Sequence, residues 1–341
     1  MTSADEIAEL VAQAMEMAGA AETPDDYGPM WALLARAATE GKTAVRLGRE
    51  LLGSADGNVR GVGCDLLGSV AQIHQELREP IATALLALAE SETDGDVLWS
   101  VAGALGDTLD QRAVPVLVAL ADHEDSDVRY KVACSLPSVY TGRPEGLEVH
   151  TLIQLTRDSD PQVRNWATFG LGSQLNVDTP EVRQALWERA GDDFTDARAE
   201  GVAGLAKRRD LRALPLVIDL LQSQDGFFAY IWDAFACLRD ARLLPYLEDF
   251  DPQDSDVERM LRACDPEVRR RADDLAGALV GAIHTRLPVL DVALYAELYE
   301  PGLYLDVRHE ERTLTWVVDP LLKRADGDPR RAADLVVAEL G

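Results

Sequence analysis

Apolar residues recur at helical spacing along the first three quarters of the chain, and one phrase returns. The stretch at 59–68 comes back at 97–106, 128–137, 163–172, 197–206 and, in degraded form, 230–239. Its leucine column (Leu67, Leu105, Leu136, Leu171, Leu205, Leu238) steps by 31 to 38 residues. Self-similarity at that period predicts helical hairpins, each burying its apolar face only against its neighbours. In each unit an apolar first helix (81–89, 114–121, 149–156, 182–190 or 214–221) leads through an acidic turn into the phrase as second helix. Asp125, Asp127, Asp158, Asp160 and Asp225 stand just before second helices, where a carboxylate caps orphan N–H groups and meets the positive end of the dipole. Gly68, Gly106 and Gly172 follow the leucine column, where helix stops are expected.

The flanks follow other patterns. Ile7, Leu10, Val11, Ala14 and Ala18 predict an opening amphipathic helix that Pro24, Gly28 and Pro29 interrupt. Residues 31–52 read as helical with a hinge at Gly41, and 1–53 serves as the atypical cap of a repeat array over 54–250. Residues 251–256 read as a linker, and 266–286 as one long helix with Val268, Ala272, Leu275, Leu279 and Ile283 on one face. Period 2 then appears: Val292, Leu294, Ala296 and Leu298, next Leu303, Leu305 and Val307 after a turn at 300–302, and a third run at 313–318. Two or three antiparallel strands closed by a helix at 329–340 are one reading. Degenerate helical hairpins are the other, since 289–299 also fits a helix, so 251–341 is expected as a helical or α+β module.

The pattern Asp-x-x-Val-Arg-x-x-Ala-Ala-x-x-Leu-Gly stands here as Asp125-Ser-Asp-Val128-Arg129-Tyr-Lys-Val132-Ala133-Cys-Ser-Leu136 and as Asp160-Pro-Gln-Val163-Arg164-Asn-Trp-Ala167-Thr-Phe-Gly-Leu171-Gly172. It resembles HEAT repeats, especially the short bacterial kind named after phycobilin lyases, over roughly residues 54–250. The resemblance implies an all-α HEAT-like superhelix with a small C-terminal module. It also implies that the arginine column (Arg60, Arg129, Arg164, Arg198) forms a ladder of acid–arginine contacts between adjacent repeats. The sixth unit departs from the pattern, with Tyr230 and Ile231 in place of Val-Arg.

Charge changes the functional picture. With 33 Lys+Arg against 60 Asp+Glu, the formal charge of the 341-residue chain is −27. Such a field repels duplex nucleic acid and anionic membrane and favours basic partners, while also serving solubility. Lys207-Arg208-Arg209 and Arg269-Arg270-Arg271 are local exceptions. Four cysteines without a CxxC pair read as small apolar residues in a reducing compartment, neither a disulfide frame nor a zinc site. The N-terminus carries no basic and apolar leader and no run long enough to span a bilayer, so a cytoplasmic location is expected. The five histidines are unpaired at helical spacing, no catalytic or nucleotide motif is present, and neither metal nor cofactor is expected.

Candidate binding residues come from the face of the second helices. Counting from the first residue of the phrase, offsets 0, 4, 5 and 8 are core, and offsets 2, 3 and 6 turn to the other face, the concave side of such repeats. There stand Trp99, Tyr130, Lys131, Trp166, Phe169, Glu200, Trp232 and Asp233. Aromatic rings in a groove make binding anchors, or else fill space between helices. The leading expectation is a non-catalytic scaffold that holds a basic peptide or protein in an acidic, aromatic-lined groove. The resemblance implies a second class, an enzyme or enzyme accessory: phycobilin-lyase-like relatives hold a tetrapyrrole, and HEAT-like DNA glycosylases use Trp and Asp on a concave face, as Trp166, Trp232 and Asp233 suggest. The missing basic stripe opposes the glycosylase. An acidic inhibitor or immunity-type protein neutralising a basic effector is the third.

Overall fold

The computed structural model describes residues 3–20, 28–222, 231–288, 291–295, 302–309 and 312–340. Two compact units divide at Arg198/Ala199. The first opens with α1 (Ser3–Ala20), α2 (Gly28–Ala38) and α3 (Lys42–Leu51). Gly41, in the left-handed region at φ 48°, turns the chain between α2 and α3, a conformation that costs a residue bearing Cβ. Helical hairpins follow: α4 (Gly57–Ile73), α5 (Arg78–Ala89), α6 (Gly95–Thr108), α7 (Val114–Leu120), α8 (Ser126–Ser135), α9 (Leu147–Leu155), α10 (Pro161–Phe169) and α11 (Pro180–Arg189). Second helices stack in sequence, α4 on α6, α6 on α8 and α8 on α10. The leucines at 67, 105, 136 and 171 are all fully buried.

The helix starts follow from side-chain caps. Asp56, Asp94, Asp125 and Asp160 each accept a backbone N–H at the first turn of α4, α6, α8 and α10, which satisfies donors that no carbonyl reaches. The neighbouring acids do other work. Arg129 sets its fork on Asp158 (Nε–Oδ2 2.7 Å, Nη2–Oδ1 2.9 Å) while Nη1 donates to the carbonyls of His123 and Glu124. Arg60 with Glu92 and Arg164 with Asp192 repeat the arrangement, each also donating to two carbonyls of its own turn. The acid in each rung therefore belongs to the following repeat, not to the residues just before the arginine. For Arg198 the corresponding acid, Asp225, lies outside the described residues.

The glycines after the leucine column are not helix stops. Gly68 and Gly106 lie inside α4 and α6, and Gly172 inside a π-helical turn at Gly170–Gln174. A Cβ at Gly68 would lie 3.2 Å from the Ala104 backbone, and one at Gly106 would lie 2.8 Å from Ser135 Cβ. These glycines let neighbouring second helices approach. The stop of α6 is Leu109, left-handed at φ 55°.

Helix α12 (Thr195–Lys207) carries the division between the units. The second unit continues with α13 (Leu214–Gln222), α14 (Ile231–Leu238), α15 (Ser255–Cys264) and α16 (Pro266–Arg286). Three antiparallel strands follow, β1 (Asp291–Tyr295), β2 (Tyr304–His309) and β3 (Arg312–Val317), in the order β1-β2-β3, then α17 (Val318–Arg324) and α18 (Pro329–Leu340). The strand reading thus holds for 291–295, 304–309 and 312–317, whereas Ala296, Leu298 and most of the 300–302 turn lie outside the described residues. Alternation is real in β2: Leu305 and Val307 are fully buried beside Leu279, Ile283 and Val336 of α16 and α18. No helix among the described residues is long and apolar enough to cross a membrane.

Candidate binding face

In the first unit the second helices bring five of the eight candidate residues together. Lys131 on α8 places its ammonium 3.7 Å from the centroid of the Trp99 ring on α6, a cation–π contact. Tyr130 meets Trp166 of α10 edge-on at 5.8 Å, and Trp166 meets Phe169 edge-on at 5.6 Å. All five are half-buried. Edge-to-face contact fixes each ring against the next while leaving a flank to solvent. Burial pushes the Tyr130 hydroxyl up to about 12 and the Cys134 thiol up to about 11, so both are neutral near pH 7.

The three candidates in the second unit are placed differently. Glu200 is 3 % exposed and Trp232 is 8 % exposed, with its ring edge-on to Phe250 at 5.1 Å. Neither offers an open groove face. Asp233 is ion-paired with Arg259. Trp232 is therefore packing, and the side-by-side Trp and Asp that suggested a glycosylase-like pair are a core ring and a paired acid.

A cavity of about 270 Å³ opens beside Trp99, lined among others by Trp31 of α2, Asp65 of α4, Asp107 of α6, and Lys131 and Cys134 of α8. Asp107 accepts from Gln72 Nε2 at 2.9 Å. Burial pushes the Asp65 carboxyl up to about 7, against the Ser100 hydroxyl and Lys131, which favour the charged form. Asp107 is raised for the same first reason, and burial lowers Lys131 although Asp65 and Asp107 oppose it. Asp65, Asp107 and Trp31 were not among the sequence-derived candidates. Asp65 occupies offset 6, the column of Phe169, and was legible there. Asp107 lies beyond the phrase and Trp31 outside the repeats. Among the described residues, no group of three or more His, Cys, Asp or Glu is arranged to hold a metal ion. All four cysteines are free thiols, and Cys64, Cys237 and Cys264 are buried.

A family model for HEAT repeats matches residues 81–149 and 149–229. Protein YibA of Escherichia coli K12 is 32 % identical over 114 residues, covering 33 % of this chain and 40 % of YibA; the match thus spans less than half of that relative. The crystal structure of YibA superimposes with a TM-score of 0.57 at 20 % identity, over 77 % of this chain and 97 % of that one. Kap95p, in a structure whose subject is its binding to RanGDP, gives 0.51 at 14 % identity, over 83 % of this chain and 43 % of the other. At such identities the two superpositions speak to fold alone. Capped helical hairpins, a stacked leucine column and the family match agree: across residues 81–229 this chain is built of HEAT repeats.

Proposed function

We propose that the first unit docks a basic peptide segment or protein surface along the row Trp99, Tyr130, Trp166 and Phe169, as a non-catalytic interaction scaffold. The observation that carries this reading is the row itself, with Tyr130, Trp166 and Phe169 locked edge-on and Trp99 held under Lys131, all only half-buried beside an acid-lined cavity. Rigid aromatic anchors give large contact area at little entropic cost. A repeat fold is consistent with such a scaffold, and the fold neighbour Kap95p binds RanGDP. Free, mostly buried cysteines suit a cytoplasmic setting.

The test is selection from a random peptide library on the immobilised protein, followed by titration of the enriched peptides. Enriched sequences should be basic. Trp166→Ala should weaken binding by roughly 2 kcal/mol with the melting temperature nearly kept, as for an interface anchor. If the rings are filler, Trp166→Ala should instead cost roughly 3–5 kcal/mol of stability and leave peptide affinity alone, which sinks the docking reading.

A further inference from the structure

The cavity bounded by α2, α4, α6 and α8 is short of positive charge. Among the described residues two carboxylates line it, Asp65 and Asp107, against one cation, Lys131, held over Trp99. Arg78, whose charge reaches Asp107, donates its Nε to the Ala71 carbonyl and does not line the space. Gln72 and Ser100 contribute neutral hydrogen bonds only. One ammonium shared between two carboxylates does not offset their desolvation, and burial pushes the Asp65 carboxyl up to about 7 although Lys131 opposes it. The remaining volume of about 270 Å³ is flanked by the indoles of Trp31 and Trp99.

We propose that this cavity receives the guanidinium of an arginine side chain carried by the docked partner. A guanidinium is planar and weakly hydrated, stacks on indole faces and presents five donors, so it can address carboxylates on two different helices at once. An ammonium is a compact, strongly hydrated point charge that gains less from two indoles, and Lys131 already supplies one. The charged groups facing Asp65 are Asp107 from α6 and Lys131 from α8, with the neutral Cys134 thiol nearby. Trp31 enters from α2, and among the described residues none of α1, α3 or α5 lines the space. Arrival of the guanidinium supplies the missing charge, and the proton of Asp65 leaves to solvent. Affinity therefore weakens as pH falls below neutrality and levels off above it.

The inference rests on the docking reading of the first unit, and its test separates the two. The full chain is titrated, by tryptophan fluorescence and calorimetry, with a blocked tripeptide carrying a central arginine and with its citrulline and lysine counterparts. The arginine peptide should bind saturably and at least about tenfold more tightly than the citrulline peptide. Asp65→Asn and Asp107→Asn should each remove that preference with circular dichroism unchanged. Asp65→Asn should also weaken the pH dependence, leaving the part that Asp107 contributes, and Lys131→Met should tighten binding. Absence of saturable arginine binding up to millimolar peptide overturns the inference. So does equal affinity for citrulline, tighter binding of lysine, or indifference to both Asp substitutions. Failure here with Trp166-dependent library binding intact removes the arginine pocket alone, whereas arginine binding that survives loss of the Trp166 effect removes the extended docking row.

Discussion

Arg164 ties two successive turns with one guanidinium. Its Nε and Nη2 meet both oxygens of Asp192, which is buried, while Nη1 closes on the carbonyls of Asp158 and Ser159. Arg189 also pairs with Asp192. Together with the backbone N–H of Phe194 these partners hold the Asp192 carboxyl at about 2 in spite of burial. Removing the fork leaves a buried carboxylate short of donors, so Arg164→Ala should cost roughly 3 kcal/mol, and Arg164→Lys should recover little because an ammonium cannot span both turns. The pH sign follows from the depressed value. The contribution of Asp192 is fully present above its unfolded value near 3.8 and is lost as pH falls toward about 2. Urea melts from pH 7 to pH 3 should therefore show a steeper acid loss in the wild type than in Arg164→Ala. Equal stabilities of the two proteins at neutral pH would refute the rung. The arginine column was legible because it repeats. That its contacts run between adjacent repeats was implied by the resemblance, but which acid answers each arginine was not, because many acids lie within each turn.

At the scale of elements, the phrase and its leucines follow from periodicity alone. Of the acids expected as caps, Asp125 and Asp160 do cap, whereas Asp127 lies inside α8 and Asp158 holds Arg129. The glycines likewise needed the neighbouring helix. A glycine near a presumed helix end looks like a stop. Gly106 is instead the site where α6 meets α8, with Ser135 Cβ 2.8 Å and Ser135 Cα 3.2 Å from where a methyl would sit. Gly61, also within α4, would place its methyl 3.5 Å from the Ser100 hydroxyl, an ordinary contact. The two sites thus separate backbone propensity from packing. Gly61→Ala should stabilise by roughly 0.5–1 kcal/mol, the helix-propensity gain. Gly106→Ala should destabilise by roughly 1–3 kcal/mol, because overpacking outweighs that gain. Thermal melts of the pair decide it: if both substitutions stabilise, the close approach of α6 and α8 is wrong. The strands posed a different problem. Val292 and Leu294 fit a helix as well as a strand until their partners are known, and cross-strand pairing with Val307 and Leu305 settles the choice.

For the whole molecule, a charge of −27 sets a long-range field that favours basic partners in the docking proposed above, and local placement decides whether basic exceptions matter. The cations of the two basic triplets are partly engaged within the protein. Arg208 is 1 % exposed and donates to the Gly204 carbonyl. Arg270 and Arg271 each face an acid one helical turn away, Asp274 and Glu267. Sequence showed the triplets and the acids, but only burial shows which cations reach solvent. Trp31 and Asp107 were hidden for a related reason: a cavity between helices takes residues from outside the repeating phrase. Duplex binding requires several phosphate contacts, each releasing counterions, and a surface of this sign opposes them. A mobility-shift titration should therefore find no appreciable duplex binding at physiological salt. A basic peptide selected on the binding face should behave oppositely, with an association rate that falls as added salt screens the field beyond the Debye length of about 8 Å. Its dissociation rate, governed by the rings and the cavity, should change far less. Stopped-flow traces over a salt series measure both rates. A salt-sensitive submicromolar duplex affinity, or peptide association indifferent to salt, would mean that the acidic field does not select the partner.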